Sequence, residues 1–286
     1  MNDQRIAVLT DTGTDVPASF AAAHDVREVS LLVSYAEKTY RSGVDITTDD
    51  VVDRMPGEVP TTSLPSPDDV RAALGRARTD GYERGVFVTT ASGLSSTCSV
   101  VELVARQSDD FPTLVVDSRS VGIGAGFVVM EAVRLVEGGV AFDELQGRLE
   151  VLSSETRIFF AMKDLAYTRR GGRINEATYR LGTVLNIKPI LSCDEQGRVI
   201  VLKKARGWER ALASELELAR ERAKKFGSVV CSVCCTKTED RTAELMARLR
   251  SCVSNLSDVF PSALSPDLVV HTGPALVGIA VRPETL

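Results

Sequence analysis

Gly85-Val-Phe-Val-Thr-Thr-Ala-Ser-Gly-Leu-Ser-Ser-Thr97 decides the architecture of this chain. Residues 85–90 form a short apolar, β-branched run suited to a buried strand, residues 91–97 a hydroxyl-rich turn, and apolar periodicity then continues as a helix to about Gln107. The same grammar extends in both directions. Upstream, Arg5 to Asp11 reads as a strand entering a Thr/Gly/Asp turn, and an Ala-rich helix leads to a β-branched stretch over Val26 to Val33. Downstream, Thr113 to Ser118 is a strand, and Gly122-Ile-Gly-Ala-Gly-Phe opens a long helix that closes at Gly138-Gly139. Strands alternating with helices imply a parallel sheet covered on both faces.

Between Met55 and Pro67 stand Pro56, Pro60, Pro65 and Pro67, so an irregular, ordered loop is expected there rather than a regular element. It ends at a helix start, with Ser66 as N-cap, Pro67 at the first position and Asp68 and Asp69 in the first turn, running to about Asp80.

After about residue 155 the character changes. Thr156 to Met162 is a strand, and Ile187 to Ser192 and Arg198 to Lys204 flank the hairpin turn Asp194-Glu-Gln-Gly. A helix from Trp208 to Lys225, a strand from Ser228 to Cys235, a helix from Glu239 to about Arg250 and a closing strand near Gly278 to Arg282 follow. The expected organisation is an N-terminal domain over residues 1–155 and a C-terminal domain over 156–286, as befits 286 residues that are 44% hydrophobic.

Composition narrows the function. A net charge of −5 and a pI near 5.3 oppose nucleic-acid binding. Without a basic start, a secretory apolar stretch or a run long enough to span a bilayer, a cytoplasmic location is expected. The six cysteines lack a secretory context and read as reduced thiols; Cys231-Ser-Val-Cys-Cys lies in a Val-rich strand with no second ligand pair, so no metal is expected. Gly122-Ile-Gly-Ala-Gly-Phe has Phe127 where a dinucleotide fingerprint needs glycine, and no Gly-Lys dipeptide exists for a phosphate loop.

Two hydroxyl loops carry the site expectation. Pro60-Thr-Thr-Ser-Leu-Pro-Ser and Ala91-Ser-Gly-Leu-Ser-Ser-Thr both place neutral hydroxyls and free amides before a helix, where they can direct donors at one anion. Taken singly, Ser66 and Ser95 read as ordinary N-caps. His271, one of two histidines with His24, more often has a structural role than a catalytic one in such a setting. A serine hydrolase or thioesterase pairing Ser92 or Ser95 with His271 is the rival reading, although no Gly-x-Ser-x-Gly elbow is present. The turns Tyr167-Thr-Arg-Arg-Gly-Gly-Arg-Ile and Lys203-Lys-Ala-Arg-Gly-Trp are either a solvated surface or a docking face for an anionic partner.

With Gly171-Gly-Arg-Ile, Leu185-Asn-Ile-Lys-Pro-Ile-Leu, Lys204-Ala-Arg-Gly and His271-Thr-Gly-Pro, these loops occur in an order and spacing that resembles the DegV family over nearly the whole chain. The resemblance implies an α/β fold: an α/β/α parallel-sheet domain, then an α/β domain with a mixed sheet, the so-called EDD fold, with a tunnel between them for one long-chain fatty acid. It implies a bacterial carrier without cofactor or catalytic residues, similar to the lipid-binding subunit of fatty acid kinase. There a separate ATP-dependent kinase subunit makes acyl phosphate for phospholipid synthesis.

By motif position, Thr62 and Ser92 are implied to hold the carboxylate, with Ser63, Gly93 and Ser95 as neighbouring contacts. Arg173, Arg206 and His271 match the carboxylate mouth and kinase-docking surface. A transient membrane-surface contact fits this role and a monomer is expected; a second rival is a non-catalytic regulatory module in which the lipid is only a stabilising ligand. The chain departs from the family pattern at Leu64, at Ser96 and Cys98, and at Ala275-Leu276-Val277. These changes bear on chain preference and mouth geometry.

Overall fold

Alternating apolar residues put both faces of the first strand to work. Ile6 and Val8 pack on one side of its sheet, and Ala7 and Leu9 pack on the other. The computed structural model describes residues 2–183 and 186–285; Leu185, which opens one of the family motifs, lies outside the described residues. The first part of the chain runs β1 (Ile6–Asp11), α1 (Ala18–Ala23), β2 (Arg27–Val29), β3 (Leu32–Ser34), β4 (Thr39–Arg41), α2 (Thr48–Arg54), β5 (Thr61–Ser63), α3 (Pro67–Thr79), β6 (Arg84–Thr89), α4 (Thr97–Arg106), β7 (Thr113–Asp117), α5 (Ile123–Glu137) and α6 (Phe142–Glu155). The remainder runs β8 (Arg157–Met162), α7 (Ala166–Arg170), α8 (Glu176–Thr183), β9 (Ile187–Cys193), β10 (Val199–Arg206), α9 (Trp208–Ala223), β11 (Val229–Cys235), α10 (Thr242–Cys252), β12 (Leu256–Ser262), α11 (Pro266–Thr272) and β13 (Leu276–Pro283).

Strands β2-β1-β6-β7 form a parallel sheet with α5 and α6 on one face and α3 and α4 on the other. Strands β10-β9-β8-β13-β11-β12 form a mixed sheet with α9 and α10 on one face. On its other face, Ile158 and Phe160 of β8 join Ile123 and Phe127 of α5 in a core that bridges the two sheets.

Two expectations are corrected here. The stretch Val26–Val33 does not continue as one strand. It splits into β2 and β3 in different sheets, and the Leu31 amide at the break donates to Thr12 Oγ1 instead (3.1 Å). The proline-rich loop contains a regular element, because Thr61–Ser63 pairs antiparallel with Leu32–Ser34. Pro60 and Pro65 bracket three extended residues at a sheet edge, where proline is tolerated. The helix after them starts with a reciprocal capping box between Ser66 and Asp69.

Candidate functional site

The chain leaves β1 for β2 on one side and reaches β6 on the other, so the carboxyl ends of β1 and β6 flank a topological switch point, where open α/β sheets gather ligands. The loop after β1 is stitched to the loop after β6 by Asp11, which accepts from Thr90 N (2.8 Å), Thr90 Oγ1 (2.6 Å) and Gly13 N (3.0 Å). Burial pushes the Asp11 carboxyl up to about 6. The third wall is α11, pinned where the Ser265 amide donates to Asp15 Oδ1 (2.9 Å) and where Asp267 Oδ1 accepts from Thr12 (3.0 Å) and Ser42 (2.5 Å).

Between these walls and β8 lies a cavity of about 370 Å³, within the range of roughly 300–1,000 Å³ usual for small-molecule sites. Its apolar lining comes from Leu31, Val121, Phe160, Met162, Val199 and Leu268. Its polar rim comes from the two hydroxyl loops, with Ser63, Ser92, Gly93 and Ser96 exposed at the mouth. The expected convergence of the two loops is therefore observed.

The individual residues meet different partners. Thr62 Oγ1 lies 2.7 Å from His271 Nε2. Desolvation, reinforced by the nearby Arg173 guanidinium, pushes the His271 pKa down to about 4, so the imidazole is neutral at pH 7. Its Nδ1 is buried without a hydrogen-bond partner among the described residues, and the ring lies so close to Gly171 that an added Cβ there would stand 2.1 Å from Nδ1. Arg173 lines the cavity, donates from Nε to Leu94 O (3.1 Å) and from its terminal nitrogen to Gly171 O, and has no carboxylate partner among the described residues.

Ser92, in contrast, donates its hydroxyl to Asp117 Oδ2 (2.5 Å) and its amide to Asp117 Oδ1 (3.2 Å). Ser95 Oγ accepts from the Thr97 amide (3.3 Å) and contacts its hydroxyl (2.8 Å); the N-cap position of α4 belongs to Ser96. Neither serine is paired with His271, so the nucleophile–base contact required by the hydrolase reading is not assembled.

Gly93 is required by packing. A Cβ on it would stand 2.4 Å from Gln196 O, in the β9–β10 hairpin turn, while Gly197 of that turn, at φ +73°, would meet Ala91 Cβ at 2.6 Å. Arg206 is exposed at the end of β10, outside the cavity lining, and Arg170 and Lys204 are likewise exposed, whereas Arg169 pairs with Glu176 and Lys203 with Glu217. Leu64 and Ser96 line the cavity; Cys98 is buried on α4, its thiol pushed up to about 11 by burial, and Ala275 accepts from the Lys163 amide (3.0 Å), both away from the lining.

Sequence reasoning did not single out Gly13, Thr90, Asp117 or Asp267. The signal for the first three was their place at the carboxyl ends of β1, β6 and β7. Asp267 offered none beyond being an acid at the second position of a short helix.

Among the described residues no helix is long and apolar enough to cross a membrane, no group of side chains is suited to a metal ion, and the cysteines are free thiols. The model of the DegV family of uncharacterised proteins matches residues 5–284. A DegV domain-containing protein of Deinococcus radiodurans is 32% identical, over 97% of this chain and 98% of that one. Among solved structures, a DegV family protein from Thermus thermophilus, described by its fatty acid binding, aligns with a TM-score of 0.90 and 29% identity over 98% of this chain and 99% of that one. A stearic-acid-binding protein from Eubacterium ventriosum aligns with a TM-score of 0.87 and 26% identity over 98% of each chain.

Proposed function

The chain belongs to the DegV family, and on that footing we propose that it is a cytoplasmic carrier that binds one long-chain fatty acid in the cavity and presents its carboxylate to a separate ATP-dependent kinase. The observation that carries the reading is the division of the cavity. An apolar interior between the sheets leads to a rim of neutral hydroxyls, a neutral imidazole and one guanidinium without a carboxylate partner among the described residues. Each buried methylene contributes about 0.8 kcal/mol, so roughly a dozen supply on the order of 10 kcal/mol before ordering and desolvation costs. Affinity then comes from the chain, and the rim is free to orient the head group.

Thr62 is the principal head-group donor in this reading. An orphaned N–H costs more than an orphaned lone pair, so the unpartnered Nδ1 of His271 is the unprotonated nitrogen. His271 Nε2–H then donates to Thr62 Oγ1, leaving the threonine proton to point at the ligand. Ser63, Gly93 and Ser95 surround this position from the rim, and Ser92 adds a contact limited by its bond to Asp117. Neutral donors hold the carboxylate without tightly neutralising the oxygen that must attack the γ-phosphorus of ATP. That attack breaks the bond to the β-phosphate oxygen and yields acyl phosphate and ADP, the acyl phosphate serving phospholipid synthesis. Arg173 at the mouth and the exposed Arg206 face the kinase, with Arg173 placed to meet developing phosphate charge.

Native followed by denaturing mass spectrometry of the purified protein tests the carrier reading. A stoichiometric, extractable fatty acid is expected; an empty protein that also fails to take up added fatty acid overturns it. Arg173→Ala is expected to keep the lipid while phosphorylation by a fatty acid kinase falls at least tenfold, measured as acyl phosphate trapped with hydroxylamine.

A further inference from the structure

Ser92 lines the ligand cavity, yet its hydroxyl donates to a residue outside that lining. The acceptor is Asp117, half-buried at the carboxyl end of β7. Its Oδ2 takes the Ser92 hydroxyl at 2.5 Å, while its Oδ1 takes two backbone amides, Arg119 N (2.8 Å) and Ser92 N (3.2 Å). A hydroxyl carries one proton, so this bond leaves the Ser92 oxygen with lone pairs only for any further partner.

The loop does not need the hydroxyl bond to keep its shape. Asp11 holds Thr90 through both amide and hydroxyl, and the Ala91 amide donates to Ser120 O (2.9 Å). The Leu94 and Ser95 amides close onto Ala91 O (3.0 and 3.1 Å), and Gly93 is wedged against the β9–β10 turn. Asp117 is itself fixed by the two amides on Oδ1. What the Oδ2 bond adds is a charged acceptor for a hydroxyl exposed at the cavity mouth.

We propose that Asp117 is a positioning residue that limits affinity: by taking the Ser92 proton it withholds a second hydroxyl donor from the ligand's carboxylate and leaves Thr62 as the principal one. The inference rests on the fatty-acid reading above and deepens it. Moving the hydroxyl from Asp117 to the ligand exchanges one ionised carboxylate for another, so the ligand gains little net stabilisation from Ser92. A carrier that hands its cargo on is served by such a restraint, because a donor held back at binding need not be broken at release.

The geometry settles how asparagine would sit in place of Asp117. Its carbonyl oxygen is held at the Oδ1 position by the Arg119 and Ser92 amides, which puts its NH2 at the Oδ2 position, donating to Ser92 Oγ. The serine proton is then free for the ligand, and Asp117→Asn strengthens binding.

The test is myristate binding to the full, lipid-stripped chain, by displacement of a fluorescent fatty acid and by stopped-flow release. It compares the wild type, Asp117→Asn, Ser92→Ala and the double variant. Asp117→Asn is expected to bind myristate at least fivefold more tightly and to release it at least fivefold more slowly, whereas in the Ser92→Ala background the same substitution changes affinity less than twofold. A gain of similar size in both backgrounds traces to the lost charge alone and overturns the proposal. Unchanged or weaker binding by Asp117→Asn also overturns it, while leaving the carrier reading intact. If Asp117→Asn fails to fold, Ser92→Ala decides: a loss of fivefold or more shows the serine donating to the ligand despite Asp117 and overturns the proposal, and a smaller loss upholds it. Failure of the wild type to bind myristate overturns both readings.

Discussion

The two hydroxyl loops look interchangeable as strings of residues, yet the fold gives them opposite partners. Thr62, in the first loop, meets a neutral imidazole, which in the proposed reading donates to it and leaves the threonine proton over. Ser92, in the second, meets the Asp117 carboxylate, which takes both its hydroxyl and its amide proton. A hydroxyl has one proton to give, so a loop's capacity to bind an anion depends on what already accepts from it. The comparison teaches that hydroxyl content alone overstates the second loop and understates the first.

The sharpest way to break this comparison is Thr62→Val, which keeps shape and removes the donor. Losing a hydrogen bond to a charged group costs about 1.5–3 kcal/mol, so fatty-acid affinity is expected to fall roughly 10- to 100-fold with the fold intact, read by displacement of a fluorescent fatty acid. A smaller expected effect concerns the partner of Thr62. Because the His271 pKa is depressed to about 4 in the fold while an unfolded histidine titrates near 6.5, its neutral form contributes stability that is fully present above about 6.5 and is lost as pH falls toward 4. Denaturant titrations across that window are expected to show a pH slope worth on the order of 1–2 kcal/mol that His271→Gln removes; an unchanged slope places its origin elsewhere. The smallest effect is expected from Ser92→Ala. With its proton already held by Asp117, affinity is expected to drop less than fivefold, with about 1 kcal/mol lost from stability. Equal losses in Thr62→Val and Ser92→Ala would erase the distinction.

The legible part of the protein is what repeats locally. The run Gly85 to Val88, the capping residues Ser66, Pro67 and Asp69, the Asp194 to Gly197 turn and the glycines closing α5 each state their structure within a few residues, and the structure contains each of them. The edge strand Thr61–Ser63 was obscured by flanking prolines, since its pairing partner Leu32–Ser34 lies about thirty residues away. Helix α11, which carries His271 and Asp267, escaped notice because seven residues are too few to show a helical period.

The sequence by itself determined the alternating α/β order, the change of character and the hairpin after about residue 155 and the presence of two hydroxyl loops, because periodicity, caps and turn chemistry act over one or two helical turns. Only the tertiary structure decided which partner each hydroxyl meets and which arginine reaches the cavity. Thr62 meets His271 across 209 residues and Thr12 meets Asp267 across 255, and such contacts are selected by how the sheets pack around a shared core rather than by any local preference.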